Sequence, residues 1–404
     1  MEIRPILSAL RRNPVAGTLI AAQIALTLAI LANVLFIVSE RVEKMSMRSG
    51  VDEGNVFFLS NQNIGELREK KAAVREDLVA LRSMPGVIAA SGAFSMPMGR
   101  SGWNTSIALK AKEQGDGADR NAAVYFADEH MLEAFGTQLI EGRKFEPGEI
   151  EIFTDDMQPN PAVVLVSKAL AERLFPGESA LGKQVNMTGD DGEPNQRIIG
   201  VVDHVATPWP RSRNPDRIIY VPYVPAGVGF VVRTEPGERE RVMSKVEDAL
   251  FAISPHRIIP SVRSFDQIRK EAYTDDRAMV VLLTAIGIAL LAVTAFGIVG
   301  QASFWVTQRT KQIGTRRALG ARRVDIVRHF QTENALITLI GIGAGCVLAL
   351  GINALLVKYL GFDRLPWAWL PVGAVVVLLL GQLAVLGPAL RASKIAPAIA
   401  TRTA

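Results

Sequence analysis

Four stretches of the chain carry no Asp, Glu, Lys or Arg: Val15 to Val38, Ala278 to Thr307, Asn334 to Val357 and Leu365 to Leu390. A helix needs about 20 mostly apolar residues to cross a hydrocarbon core of roughly 30 Å. Each stretch is long enough, so the pattern predicts four transmembrane helices. Arg11 and Arg12 ahead of the first would also suit a cleaved signal peptide. Its apolar run is too long for one, however, and the exit Ile37 to Lys44 has no small-x-small cleavage site, so it is expected to stay as an anchor.

Between the first and second stretches the pattern changes. NVFFLS, VIAASGAF, TSIALK, AAVYFA, AVVLVS, QRIIGVV, RIIYVPY, GFVVRT and RIIPSV are short runs rich in β-branched and aromatic residues, which predicts strands. Leu67, Lys71, Val74, Leu78 and Leu81 recur at helical spacing, and Gly237 to Ile253 repeats the pattern. Ser264 to Asp276 reads as a polar helix with Ser264 as N-cap, running without Gly or Pro into the second span. The expected fold is an α-helical membrane protein with four transmembrane helices and an α+β domain inserted between the first and second.

Charge adds orientation. The loop Gln308 to Phe330 holds seven basic residues (Arg309, Lys311, Arg316, Arg317, Arg322, Arg323, Arg328) against one acid, Asp325. Arg4, Arg11 and Arg12 precede the first span and Arg391, Lys394 and Arg402 follow the last, whereas the hairpin between spans three and four has only Lys358 and Arg364. Lys and Arg concentrate on the cytoplasmic side of membrane proteins, so both termini and the basic loop are expected inside and Glu40 to Asp276 outside. That outer region has 29 basic and 36 acidic residues, which makes the net charge of +5 a topology signal rather than a nucleic-acid footprint. The single cysteine, Cys346, lies mid-span, so no intrachain disulfide forms.

Catalytic motifs do not hold up. Gly177 to Lys183 (GESALGK) has phosphate-loop spacing, but Gln184 stands where Ser or Thr should hold magnesium, and the flanking order is helix then strand, so it reads as a turn. His130, His204, His256 and His329 show no metal-ligand spacing. Asp203 beside His204 resembles a base with its orienter, yet neighbours on a strand point to opposite faces. No cofactor, metal or catalytic residue is expected. The spans hold no charge, with Gln23, Asn33, Gln301 and Gln382 among their polar members and Glu333 at an edge, which argues against a self-contained ion or proton pathway. Gly341 and Gly345 form a G-x-x-x-G pair within a stripe of small residues on the third span, suited to close helix packing either within the bundle or between subunits.

The loop RTKQIGTRRALGARRVDIVRHF resembles the segment after the second span of MacB/FtsX-type ABC transporter permeases. The likeness runs along the chain: ALRRNPVAGTLIAAQIALTLAILAN resembles that family's elbow and first span, YFADEHMLEAFGTQLIEGRKF, LFPGESALGKQV and RIIGVVDHV its MacB-like periplasmic core domain, and GPALRASKIAPAIATRT its tail. Gln312 stands where the family often carries an acid, and the tail is less basic than usual. The resemblance implies an elbow and first span over 1–39, a periplasmic domain over 40–276 and an FtsX-like domain over 277–404. A porter-like lobe with a second lobe inserted near 100–213 is implied within the periplasmic domain, and a coupling loop at 308–330 within the FtsX-like one.

The resemblance further implies a non-catalytic permease subunit of the bacterial inner membrane. It would relay motion of a separate cytoplasmic ABC ATPase to the periplasmic domain, for export or efflux. The implied partners are that ATPase, a second permease in a dimer, a periplasmic adaptor with an outer-membrane channel, and membrane lipids. The alternative is a sensory or mechanotransmitting protein that controls periplasmic partners without transport. Arg309, Ile313, Gly314, Arg316, Arg317, Ala318, Leu319, Gly320 and Ala321 are the expected ATPase-coupling residues. In physical terms, two short helices broken at Gly314 and Gly320 would present Ile313, Ala318 and Leu319 to a partner groove, with arginines at its rim. A positive loop lying on anionic headgroups is the competing account.

Overall fold

The computed structural model describes residues 14–109, 121–154, 160–187, 194–212, 214–227 and 229–396, with the side chains of 14–16 and of Leu67 and Arg68 left undescribed. Arg4, Arg11, Arg12 and Arg402 lie outside these residues. The chain divides into two compact units, Ser46–Asp275 and the remainder on either side of it.

The flanking unit holds helices α1 (Pro14–Met45), α7 (Thr274–Gln308), α8 (Thr310–Ala318), α9 (Arg323–Leu360) and α10 (Trp369–Ser393). Four of them, all but α8, are long and apolar enough to cross a membrane. α1 is the central one: 67% of its apolar window is buried in the chain, against 11% for α7. It continues beyond Val38 to Met45, carrying Glu40, Arg41, Glu43 and Lys44 on the same helix, and Arg41 pairs with the buried Asp276 of α7.

Small residues explain how α1 comes so close to α9. A Cβ on Gly341 would lie 2.7 Å from Ile24 Cγ2 and 2.9 Å from the Ala21 carbonyl, and one on Gly345 would lie 2.9 Å from the Ala25 carbonyl. The glycine pair lies against α1 within the bundle. Polar groups add to the contact, as expected where lipid offers no competing partner. Asn33 Nδ2 donates to the Ala349 carbonyl of α9 at 3.1 Å and to the Ala29 carbonyl of its own helix at 2.9 Å, while the Thr27 and Thr294 hydroxyls, 2.7 Å apart, join α1 to α7. Replacing Gly341 with Ile forces backbones apart, an overpacking that costs about 1–3 kcal/mol or more. The expected result is a clear loss of thermal stability in detergent for Gly341→Ile and little change for Gly343→Ile, since Gly343 has nothing within 4 Å.

The Ser46–Asp275 unit has two lobes. In the first, strands β1 (Val56–Asn63), β2 (Val87–Gly92), β12 (Gly229–Thr234) and β13 (Arg257–Ser264) form an antiparallel sheet in the order β13-β1-β12-β2. Phe57, Leu59, Phe230 and Val232 of that sheet pack against Val74, Leu78 and Leu81 of α2 (Leu67–Ser83) and Val242, Val246 and Leu250 of α5 (Arg239–Ile253). These are the helical repeats seen in the sequence, now facing the sheet.

The second lobe is a mixed sheet of seven strands ordered β3-β4-β10-β7-β9-β5, with β8 on β9. Its strands are β3 (Trp103–Ser106), β4 (Asn121–Phe126), β5 (Leu139–Gly142), β7 (Val163–Ser167), β8 (Gln184–Val185), β9 (Gln196–Val202) and β10 (Ile218–Val221). The short helices α3 (Met131–Phe135) and α4 (Lys168–Leu174) intervene, and β6 (Glu151–Phe153) pairs separately with β11 (Tyr223–Pro225). The sheet includes residues past 213, since β10 pairs in parallel with β4, Ile218 opposite Ala123.

Helix α6 (Phe265–Ala272) begins as expected: the Ser264 hydroxyl accepts from the Gln267 amide at 3.3 Å, and the Gln267 side chain accepts from the Ser264 amide at 3.1 Å. It does not run unbroken into the second span. Tyr273, 1% exposed, leaves the helical region at φ −106° and ψ 16°, so one non-helical residue separates α6 from α7.

Candidate functional site

The catalytic look-alikes lie in the Ser46–Asp275 unit. Gly177 to Lys183 follows α4, precedes β8 and turns at Gly177 (φ 75°) and Gly182 (φ 78°). Lys183 pairs with Glu178 and lies 4.4 Å over the Phe175 ring, so its ammonium is engaged. His204 Nε2 lies 2.7 Å from the Arg48 carbonyl, while exposed Asp203 uses its amide on the Gln138 carbonyl at 2.9 Å. Among the described residues no three His, Cys, Asp or Glu side chains group as a metal site.

The basic loop has a definite shape. α8 runs from Thr310 to Ala318 straight through Gly314, so the expected break there is absent. The break falls at Gly320 alone, whose φ of 98° suits a residue without a Cβ. The amides of Leu319, Gly320 and Ala321 return to the carbonyls of Thr315, Arg317 and Arg316 at 3.0–3.2 Å, closing the helix end. Arg322 then opens α9, and Asp325 Oδ2 accepts from its amide at 2.9 Å. The result is a tight helical hairpin joining the second and third spans.

Its faces differ from the expected ones at Arg309, Ile313 and Arg317. Arg309, Ile313 and Arg317 recur every four residues and turn inward. Arg309 Nη1 lies 2.8 and 3.0 Å from the two carboxylate oxygens of Glu333, which is buried, and its guanidinium sits 5.7 Å from the Trp305 ring centroid. Ile313, 5% exposed, shares a core with Ile326, Phe330, Ala389 and Ala392, so it is not available to a partner groove. Arg317 Nη1 donates to the Ser393 carbonyl at 2.9 Å. Gly314 is also buried and Ala321 half-buried.

The outer face carries the apolar tip. Leu319 is 83% exposed and Val324 71%, with Ala318 and Gly320 exposed beside them. Lys311, Arg316, Arg322, Arg323 and Arg328 are exposed around this tip. Val324 and Ser393 were missed from sequence, and Glu333 was noted there only as a span-edge acid. Glu333 alone gave a signal, being an acid that directly adjoins an uncharged span.

Two family models account for this architecture. Residues 19–249 match the MacB-like periplasmic core domain, more than half the chain, and residues 284–397 match the FtsX-like permease C-terminal domain. The chain belongs to the MacB/FtsX family of ABC transporter permeases. This permease is 29% identical over 269 residues to the macrolide export ATP-binding/permease protein MacB of Bdellovibrio bacteriovorus, an alignment covering 61% of the chain and 40% of that protein. With the MacB of Rhodopseudomonas palustris strain HaA2 the identity is 23% over 345 residues, covering 80% and 48%. The uncharacterized ABC transporter permease YvrN of Bacillus subtilis is 26% identical over 303 residues, 69% of each chain.

The permease thus spans less than half the length of the macrolide export relatives it matches. The crystal structure of the periplasmic region of MacB from Actinobacillus actinomycetemcomitans is similar at 15% identity and TM-score 0.34, covering 57% of this chain and 97% of that one. The family and the four apolar helices make this a multi-pass inner-membrane ABC permease subunit with a periplasmic-type domain.

Proposed function

We propose that the permease relays the motion of a separate cytoplasmic ABC ATPase to its periplasmic domain, for export, and that it works paired with a second permease. Both termini and the α8–α9 hairpin lie in the cytoplasm in this reading. The observation that carries it is the exposed tip of Ala318, Leu319 and Val324, ringed by basic side chains and held between two spans. An apolar knob with a charged rim is the chemistry of a groove-docking element, the rim serving encounter rate more than affinity. The spans contain no charge from which a self-driven pathway would be built. Energy must then arrive from a partner, and the tip is where a partner fits.

The test is purification of the tagged full chain from native membranes. An ABC ATPase is expected to co-purify, with ATP hydrolysis that depends on the permease. A permease that brings down periplasmic proteins and no ATPase would instead be the sensory protein of the alternative reading. Sidedness is checked separately by cysteines placed in a Cys346→Ser background. Glu235→Cys, exposed in the soluble unit, should react with an impermeant maleimide added outside, and Thr315→Cys, exposed on α8, only after the membrane is opened.

A further inference from the structure

The inward face of α8 makes three attachments, and they are unequal. We propose that the buried carboxylate of Glu333 is the pin that makes α8 and the third span move as one body, with the fourth span following through a bond that can slip. The proposal rests on the docking reading above and names the residues by which docking force enters the bundle.

Glu333 is 2% exposed at its side chain and immediately precedes the uncharged run Asn334 to Val357. A carboxylate at that depth is stable only with a partner, because removing one member of a buried pair leaves a charge that neither water nor lipid can solvate. Both of its oxygens are met by one nitrogen of Arg309, at 2.8 and 3.0 Å. Arg309 sits at the N-cap of α8 and its guanidinium is further steadied over Trp305. Displacing α8 without α9 would therefore separate a desolvated ion pair, whereas Ile313 ties α8 to both neighbours, its core holding Ile326 and Phe330 of α9 and Ala389 and Ala392 of α10. At the other end of α8 the closed turn at Leu319 to Ala321 joins α8 to α9 again.

Arg317 is a weaker tie. It donates to the carbonyl of Ser393, a neutral acceptor in the last turn of α10 where Arg309 has a carboxylate, and the Arg317 side chain is half-exposed. A helix C-terminus does attract a cation, but the attraction is modest and screened. The pin thus runs to α9, and α9 packs its glycines directly on the central α1. Glu333 and Arg309 are positioning residues in this scheme, acting through the helices they join.

The test uses the full chain with its co-purifying ATPase in phospholipid nanodiscs, in a Cys346→Ser background. Spin labels at Thr315 of α8 and Leu339 of α9, both exposed, should keep one separation with and without ATP, whereas Thr315 and Leu390 of α10 should not. Glu333→Gln keeps the shape and removes the charge. It should leave the ATPase yield unchanged, since the tip is untouched, and loosen the Thr315–Leu339 distance. The ATP-dependent change in hydrogen exchange of the soluble unit should fall at least about fivefold, the lower end of ordinary site-to-site coupling.

Exchanging the pair, Arg309→Glu with Glu333→Arg, should restore both, and Arg317→Ala should resemble the wild type. Full ATP-dependent exchange in Glu333→Gln, or an α8–α9 distance that shifts with ATP in the unsubstituted pair, overturns the pin. Should Glu333→Gln fail to insert, the distance measurement decides alone. Absence of any ATPase from the wild-type preparation is a different failure, that of the docking reading itself.

Discussion

Leu319→Asp is expected to abolish co-purification of the ATPase while the permease inserts and melts as before. Leu319 is 83% exposed and touches no core cluster, so the change has no folded-state contact to break and should alter stability by no more than an ordinary surface substitution. In a docked groove the same carboxylate loses its water without gaining a partner, which costs several kcal/mol. Affinity changes tenfold for each 1.4 kcal/mol or so, and a loss of about a hundredfold or more removes the ATPase from a pull-down. Arg322→Ala provides the contrast, because an exposed pair contributes about 1 kcal/mol or less and is screened by salt. A loop that merely lies on anionic headgroups reverses the ranking: losing arginines would matter and Leu319→Asp would not. An unchanged ATPase yield with Leu319→Asp at matched expression counts against docking. Ile313 cannot serve in this test, since a charge there would disturb the bundle core and lose the ATPase for an unrelated reason.

The second large effect is in the four-stranded lobe of the Ser46–Asp275 unit. Arg257 of β13 and Asp77 of α2 are both fully buried, joined by two hydrogen bonds of 2.9 Å, with Asn61 Nδ2 a further 3.4 Å from Asp77. Asp77→Ala leaves the guanidinium without its counter-charge at 0% exposure, a change that typically costs 3–5 kcal/mol, roughly. For a domain of this size each kcal/mol moves the melting temperature by about 2–4 °C. Asp77→Ala should therefore lower the soluble unit's transition by about 6–20 °C, read by differential scanning calorimetry of the full chain. Replacing both partners, Asp77→Leu with Arg257→Met, should recover most of that loss, because the desolvation of the pair disappears with the pair. A double variant as unstable as the single one would show that the pair stabilises the lobe by more than its burial costs.

Much of the chain was legible before any coordinates. The four uncharged runs became the four long helices because a span of lipid imposes a length and a composition that few soluble segments meet. The β-branched runs became strands and Ser264 capped α6, since these preferences act within a few residues. The strands β5, β6 and β8 were missed because they are two to four residues long and carry no alternation to read. In the basic loop, the sequence misjudged which side chains turn inward. A charge count treats all arginines as rim, whereas Arg309 and Arg317 turn inward because Glu333 and the Ser393 carbonyl, remote in sequence, wait there as acceptors.

By itself, then, the sequence determined the spans, the inserted α+β domain and the family, because each depends on local composition, length or short-range order. Only the tertiary structure decided that α1 is the central helix, that Gly341 and Gly345 pack on it, and that β10, past residue 213, pairs with β4. It also decided that Ile313 is core, while Leu319 and Val324 form the free tip. The physical reason is common to all of these. Each depends on which residues from distant parts of the chain meet, and an apolar or charged side chain reads the same in sequence whether it meets its own fold, lipid or another protein.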